Sequence, residues 1–133
     1  MPTKNLWGQL PTPEEIRTPT QILKEQAALL TDMTKGVLQG AVTVATGEAN
    51  RFTLRLDILA PVIDNYRYGV LTAFHGVELY PVTVSPIFKR EGSGLGVAQC
   101  TNEAALELAL EQILSSQPIR RVVSALLAQS RAM

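Results

Sequence analysis

Between residues 51 and 60 the chain alternates. Phe52, Leu54, Leu56, Ile58 and Ala60 fall on one side, and Arg51, Thr53, Arg55 and Asp57 on the other. A period of two over this length predicts a strand with one buried face. Val37 to Thr46 precedes it as a second strand, with Gly47, Glu48 and Ala49 between. A four-residue loop closed by Thr46 and Arg51 would put Val42 and Val44 on the face of the charged residues. Pairing Thr46 with Asn50 instead sets Val44 against Phe52, Val42 against Leu54 and Leu38 against Ile58. A one-residue slip inverts every side chain, so this second register is expected, around a three-residue loop or a bulge.

Tyr66 to Phe74 and Val77 to Ser85 read as a second hairpin, joined by His75-Gly76. A two-residue loop would set Phe74 opposite Val77, Thr72 opposite Leu79 and Gly69 opposite Val82. Tyr80 would then lie over the space left by Gly69. Pro81 has no N–H to give a ladder, which places the last strand at an edge or beside an irregularity. In this register both faces of the hairpin are apolar: Tyr68, Val70, Phe74 and Leu79 on one, Leu71, Tyr80, Val82 and Val84 on the other. One face meets helices and the other needs a cover.

The helices lie at the two ends. Thr18-Pro19-Thr20-Gln21 has capping-box spacing, with Thr18 as N-cap and Pro19 at the favoured first position. Ile22, Leu23, Ala27, Leu29, Leu30 and Met33 then share one broad arc, and Lys35 with Gly36 marks the stop. Near the C-terminus a helix is expected after a Thr101 N-cap, with Glu103 in its first turn. Pro118 opens a last helix striped by Ile119, Val122, Val123, Leu126 and Leu127. The expected fold is therefore α+β: an N-terminal helix, a four-stranded, mainly antiparallel sheet of two hairpins, and two C-terminal helices. This domain spans residues 18–133.

Residues 1–17 read as an extended arm. Pro2, Pro11, Pro13 and Gly8 prevent regular structure, and the only tryptophan, Trp7, sits between Leu6 and Leu10. An exposed Trp–Leu cluster is costly in water, so the arm is expected to dock. Its own domain, a neighbouring subunit and a different protein are the three places available.

Composition narrows the function. At 46% hydrophobic and 18% charged, the 133-residue chain can bury a core. Twelve basic residues balance twelve acidic ones, so no general field draws phosphate, and nucleic acid is not an expected partner. Zero net charge also removes repulsion between copies, which favours a homo-oligomer. The lone cysteine, Cys100, cannot form an internal disulfide. No apolar run resembles a signal or a membrane span, so no membrane partner and a cytoplasmic setting are expected.

Candidate chemistry is sparse. The single histidine, His75, falls in the expected tight turn, and neither a second His nor a nearby Cys supports a zinc site. Cys100 precedes a helix start, but no base or oxyanion site is signalled for it. Glu103, Glu107 and Glu111 recur every four residues and read as a solvated face rather than a metal site. Arg51, Arg55 and Arg67 sit on exposed strand positions without the interleaved aromatics that nucleic-acid sheets use. The segment Lys89-Arg90-Glu91-Gly92-Ser93-Gly94-Leu95-Gly96 has cations and glycines that suit a phosphate. It matches neither a P-loop nor a dinucleotide fingerprint.

No paired reactive groups, catalytic residues or cofactor are signalled. The expected function is a non-catalytic protein-interaction or adaptor module that self-associates, with Leu6, Trp7, Leu10 and Tyr80 as contact residues. A different protein met through the arm is the other partner class. The alternative is a binding protein for a nucleotide or similar phosphorylated ligand, held by Lys89, Arg90, Gly92, Ser93, Gly94 and Gly96.

Overall fold

The Thr18-x-x-Gln21 spacing closes the first helix as the sequence predicts. Thr18 Oγ1 accepts from the Gln21 amide at 3.1 Å, and Gln21 Oε1 accepts from the Thr18 amide at 2.9 Å. The helix, α1 (Pro19–Met33), ends in a Schellman arrangement. The Gly36 amide donates to the Thr31 carbonyl at 2.8 Å and the Lys35 amide to the Asp32 carbonyl at 3.1 Å. Gly36 takes a left-handed φ of 82°, and Lys35 shares that conformation at 52°.

The computed structural model describes residues 3–12, 16–87 and 96–133. After α1 come β1 (Gln39–Thr46), β2 (Phe52–Ala60), β3 (Tyr66–His75), β4 (Val82–Pro86) and β5 (Ala98–Cys100). Two helices follow, α2 (Glu103–Leu114) and α3 (Gln117–Ala132). The fold is α+β, with a five-stranded antiparallel sheet in the order β1-β2-β3-β4-β5. The expected count of four omitted β5. That strand pairs Cys100 with Val82 and Ala98 with Val84, and three residues are too few to show a period. The N-cap of α2 is Asn102, not Thr101: its side chain accepts from the Ala105 amide at 2.8 Å. The last helix starts one residue before Pro118, with Ser116 at its N-cap.

The first hairpin puts the expected residues on the core face, two positions out of the expected register. Thr46 faces Phe52, Val44 faces Leu54, Val42 faces Leu56 and Gly40 faces Ile58. The Gly47 amide donates to the Arg51 carbonyl at 2.7 Å, so the loop is Glu48-Ala49-Asn50. Ala49 and Asn50 both take positive φ, 57° and 56°. Asparagine tolerates that conformation, which lets the turn form beyond the glycine instead of at it.

The second hairpin differs more. Phe74 faces Thr83, Ala73 faces Val84 and Leu71 faces Pro86, so residues 76–81 form a connection instead of a strand. A turn in it closes from the Leu79 amide to the Gly76 carbonyl at 3.1 Å, with Leu79 at φ 76°. Pro81, which cannot donate to a ladder, lies just before β4. The register of β2 and β3 also shifts between Leu56/Asp57, opposing Leu71 and Gly69, so Val70 is an extra residue. This bulge changes which side chains face inward. Val70 and Leu71 are both buried, and Val82 and Val84 join them.

The expectation of two apolar faces is therefore corrected. The outward face carries Thr43, Thr53, Arg55, Arg67, Thr72, Thr83 and Gln99, with Phe74 as its large exposed apolar side chain. The space beside Gly69 is occupied by Arg55 and Ile87, not by Tyr80. On the inward face α1 packs against β1 and α2 against β4 and β5. Ile22, Leu23, Leu38, Leu54, Leu71 and Leu106 are all at most 1% exposed and form the centre of the core.

Candidate functional site

Helix α1 does not bury its whole apolar arc. Ile22, Leu23 and Ala27 are sealed, but Leu29 is 49% and Met33 81% exposed. These two stand at the edge of a cleft of about 740 Å³. Its floor is the inward face of the sheet at Leu56, Ile58 and Val70. One wall is α1 through Ile22, Leu30 and Met33; the other is α2 and α3 through Leu110, Leu114, Ile119 and Val123. Gln26, Glu107, Glu111 and Arg120 supply polar groups to the lining. An apolar floor with a few polar groups is the general form of a binding cleft.

Arg17 ties one side of this cleft together. Its guanidinium donates to Glu103 and Glu107 of α2 at 2.6 Å each, and to Glu25 of α1. Arg17 thereby fastens the end of the arm to both helices, and one of its partners, Glu107, also lines the cleft. Hydrogen bonds from Glu25, Glu107 and Glu103 raise the Arg17 pKa, and Arg17 in turn lowers that of Glu25. The Glu103/Glu107/Glu111 stripe, expected to be merely solvated, holds an ion-pair network at two of its three positions. Arg17 is a residue that sequence reasoning missed. A cation before an N-cap carries no local signal of a tertiary partner 86 or 90 residues away.

The apolar residues of the arm stay exposed. Leu6 is 84%, Trp7 81% and Leu10 64% exposed. The arm is locally ordered by Asn5, whose Oδ1 accepts from the Trp7 amide at 2.9 Å and whose Nδ2 donates to the Gly8 carbonyl at 3.3 Å. Gly8 completes the bend with φ 71°. Tyr80, the fourth expected contact residue, is on the domain. It is half-buried in the β3–β4 connection, its hydroxyl buried without a partner among the described residues. Burial pushes its phenol pKa up, Glu103 and Glu107 push the same way, and Arg17 opposes them.

Of the phosphate-loop candidates, Lys89, Arg90, Gly92, Ser93 and Gly94 lie outside the described residues, and Gly96 is exposed just before β5.

His75 is not in the expected two-residue turn: it belongs to β3 and is buried at 5% exposure. It ends β3, stacks on Phe52 with ring centroids 5.2 Å apart, and places Nδ1 2.7 Å from the Gly76 carbonyl. Cys100 is 2% exposed, and burial pushes its thiol pKa up, the opposite of an activated nucleophile. Strand β4 lies between β3 and β5, so His75 and Cys100 are on strands about 9–10 Å apart.

Arg55 and Arg67 share one carboxylate. Arg55 Nε and Arg67 Nη1 donate to the two oxygens of Asp57 at 2.8 and 2.7 Å, and Asp57 is 1% exposed. Among the described residues no group of three or more His, Cys, Asp or Glu is placed to hold a metal ion. No helix among them is long and apolar enough to cross a membrane.

The cleft and the ion-paired arm root thus define a small α+β domain with an open apolar groove. Comparisons with family models, with curated proteins and with solved structures returned no match.

Proposed function

We propose that the protein is a non-catalytic interaction module that self-associates, and that the cleft between α1 and the α2–α3 pair is its contact surface. The observation that carries this reading is the exposure of Leu29 and Met33 on the rim of an apolar cleft. Contiguous exposed apolar surface rimmed by polar groups is typical of protein-binding sites. Zero net charge offers no long-range repulsion between copies.

Sedimentation equilibrium at micromolar concentration tests it. The full chain is expected to exceed its 14.5 kDa monomer mass. Leu29→Glu combined with Met33→Glu should return it to the monomer without loss of far-ultraviolet dichroism. A monomer at every concentration, or an unchanged oligomer in the double variant, would refute the reading.

A further inference from the structure

The cleft and the arm are two unmatched apolar surfaces of one chain. We propose that Trp7, with Leu6 and Leu10, seats in the α1–α2–α3 cleft of a second copy, and that the exchange is reciprocal. This rests on the self-association proposed above and identifies its contact.

Five observations carry it. Leu6, Trp7 and Leu10 are exposed, Trp7 at 81%, while the cleft beside the arm's root is open at about 740 Å³. That volume is within the roughly 300–1,000 Å³ of clefts that enclose a compact apolar ligand. Arg17 fixes the root at Glu107, a cleft residue, yet Leu6, Trp7 and Leu10 are exposed rather than seated in that cleft, which leaves it open to the arm of a second copy. Pro11 restricts Leu10 to extended conformations, which favours reach away from its own neighbours at that residue. Finally, Asn5 and Gly8 already hold the bend that presents Trp7, which lowers the ordering cost of docking. On the far side, Glu111 in the cleft lining offers an acceptor for the indole N–H.

Because Trp7 is the only tryptophan, its emission reports its own surroundings. In the full chain the emission is expected to move to shorter wavelength with rising concentration, in step with the doubling of mass. Trp7→Ala, a change outside every helix and strand, should weaken dimerisation at least tenfold. The decisive step is a mixture. Leu29→Glu/Met33→Glu keeps an intact arm, and Trp7→Ala keeps an intact cleft but no fluorophore. Adding the second to the first should shift Trp7 emission at concentrations where the first alone shows none.

A dimer whose Trp7 emission stays that of a solvated indole overturns the exchange and leaves self-association standing. Short-wavelength emission at every concentration with a monomeric mass means the arm folds onto its own domain, and overturns it too. A monomer with solvated emission throughout overturns both readings.

Discussion

A Cβ placed on Gly40 of β1 would stand 2.4 Å from the Cα of Ala27 and 2.6 Å from its carbonyl oxygen. Helix α1 is seated on the sheet at backbone contact, and Thr31 Oγ1 adds a bond from the Gly40 amide at 3.2 Å. Backbone atoms cannot rotate aside, so Gly40→Ala must lift α1 from β1. The expected loss is about 1–3 kcal/mol, at the upper end of ordinary overpacking. Gly36→Ala meets nothing within 4 Å but has to hold φ 82°, at a cost of about 1–2 kcal/mol. Urea unfolding midpoints should fall for both and further for Gly40→Ala. An unchanged midpoint for Gly40→Ala would remove the close contact from this account.

Asp57 joins two half-exposed arginines on the outward sheet face, and its own carboxylate is buried. Neutralising it leaves two cations side by side without the charge that holds them. Asp57→Asn is expected to cost about 1–3 kcal/mol, toward the low end because both guanidiniums reach water. Arg67→Gln should then cost less in the Asp57→Asn background than in the wild type, since the interaction it removes is already gone. A double-mutant cycle by denaturant unfolding reads this coupling. Additive losses would show that the pairing contributes nothing.

How much of this was legible in the sequence depends on the range of the signal. The Thr18–Gln21 box and the β2 alternation are local, and both were readable from single-residue chemistry. The β1–β2 faces were also readable, because parity alone decides them. The second hairpin was not. The Val70 bulge and the connection at 76–81 depend on how β3 is paired on both sides, and no period in the chain encodes that. His75 was misplaced as a consequence, since its burial follows from the register. The cleft was half legible: Leu29 and Met33 were on the apolar arc, but only tertiary placement shows that α2 and α3 leave that part of the arc uncovered. Arg17 illustrates the limit, as its three partners lie on two helices far apart in sequence.

The Cys100 thiol is buried and its pKa is raised, so it should be inert in the folded chain. A disulfide reagent at neutral pH is expected to react only at the rate of unfolding. The shift also fixes a direction with pH. A thiol whose folded pKa exceeds the unfolded value, about 8.5, contributes fully below that value. Its contribution is lost as pH rises through the folded pKa. The raised Tyr80 pKa acts in the same direction at higher pH. Stability should therefore decline on the alkaline side, and Cys100→Ala should flatten the first part of that decline. Rapid native-state labelling of Cys100 would contradict its burial.

Arg17 and Glu25 make the opposite, acid-side prediction. Arg17 lowers the Glu25 pKa, so that contact contributes above the ordinary carboxylate range and is lost as pH falls through the depressed folded value. Carboxyl-carbon NMR should place the Glu25 midpoint below that of a free glutamate, and Arg17→Gln should return it upward. A free-glutamate midpoint in the wild type would refute the ion pair. Salt supplies an independent check. With Arg17 present, added salt screens an attraction among exposed groups and weakens the arm root. Without it, Glu25, Glu103 and Glu107 are left converging on an empty position, and the same salt screens their repulsion. The wild type should therefore lose stability as salt is raised, and Arg17→Gln should gain it. A common sign in the two proteins would mean that the three carboxylates do not act through one guanidinium.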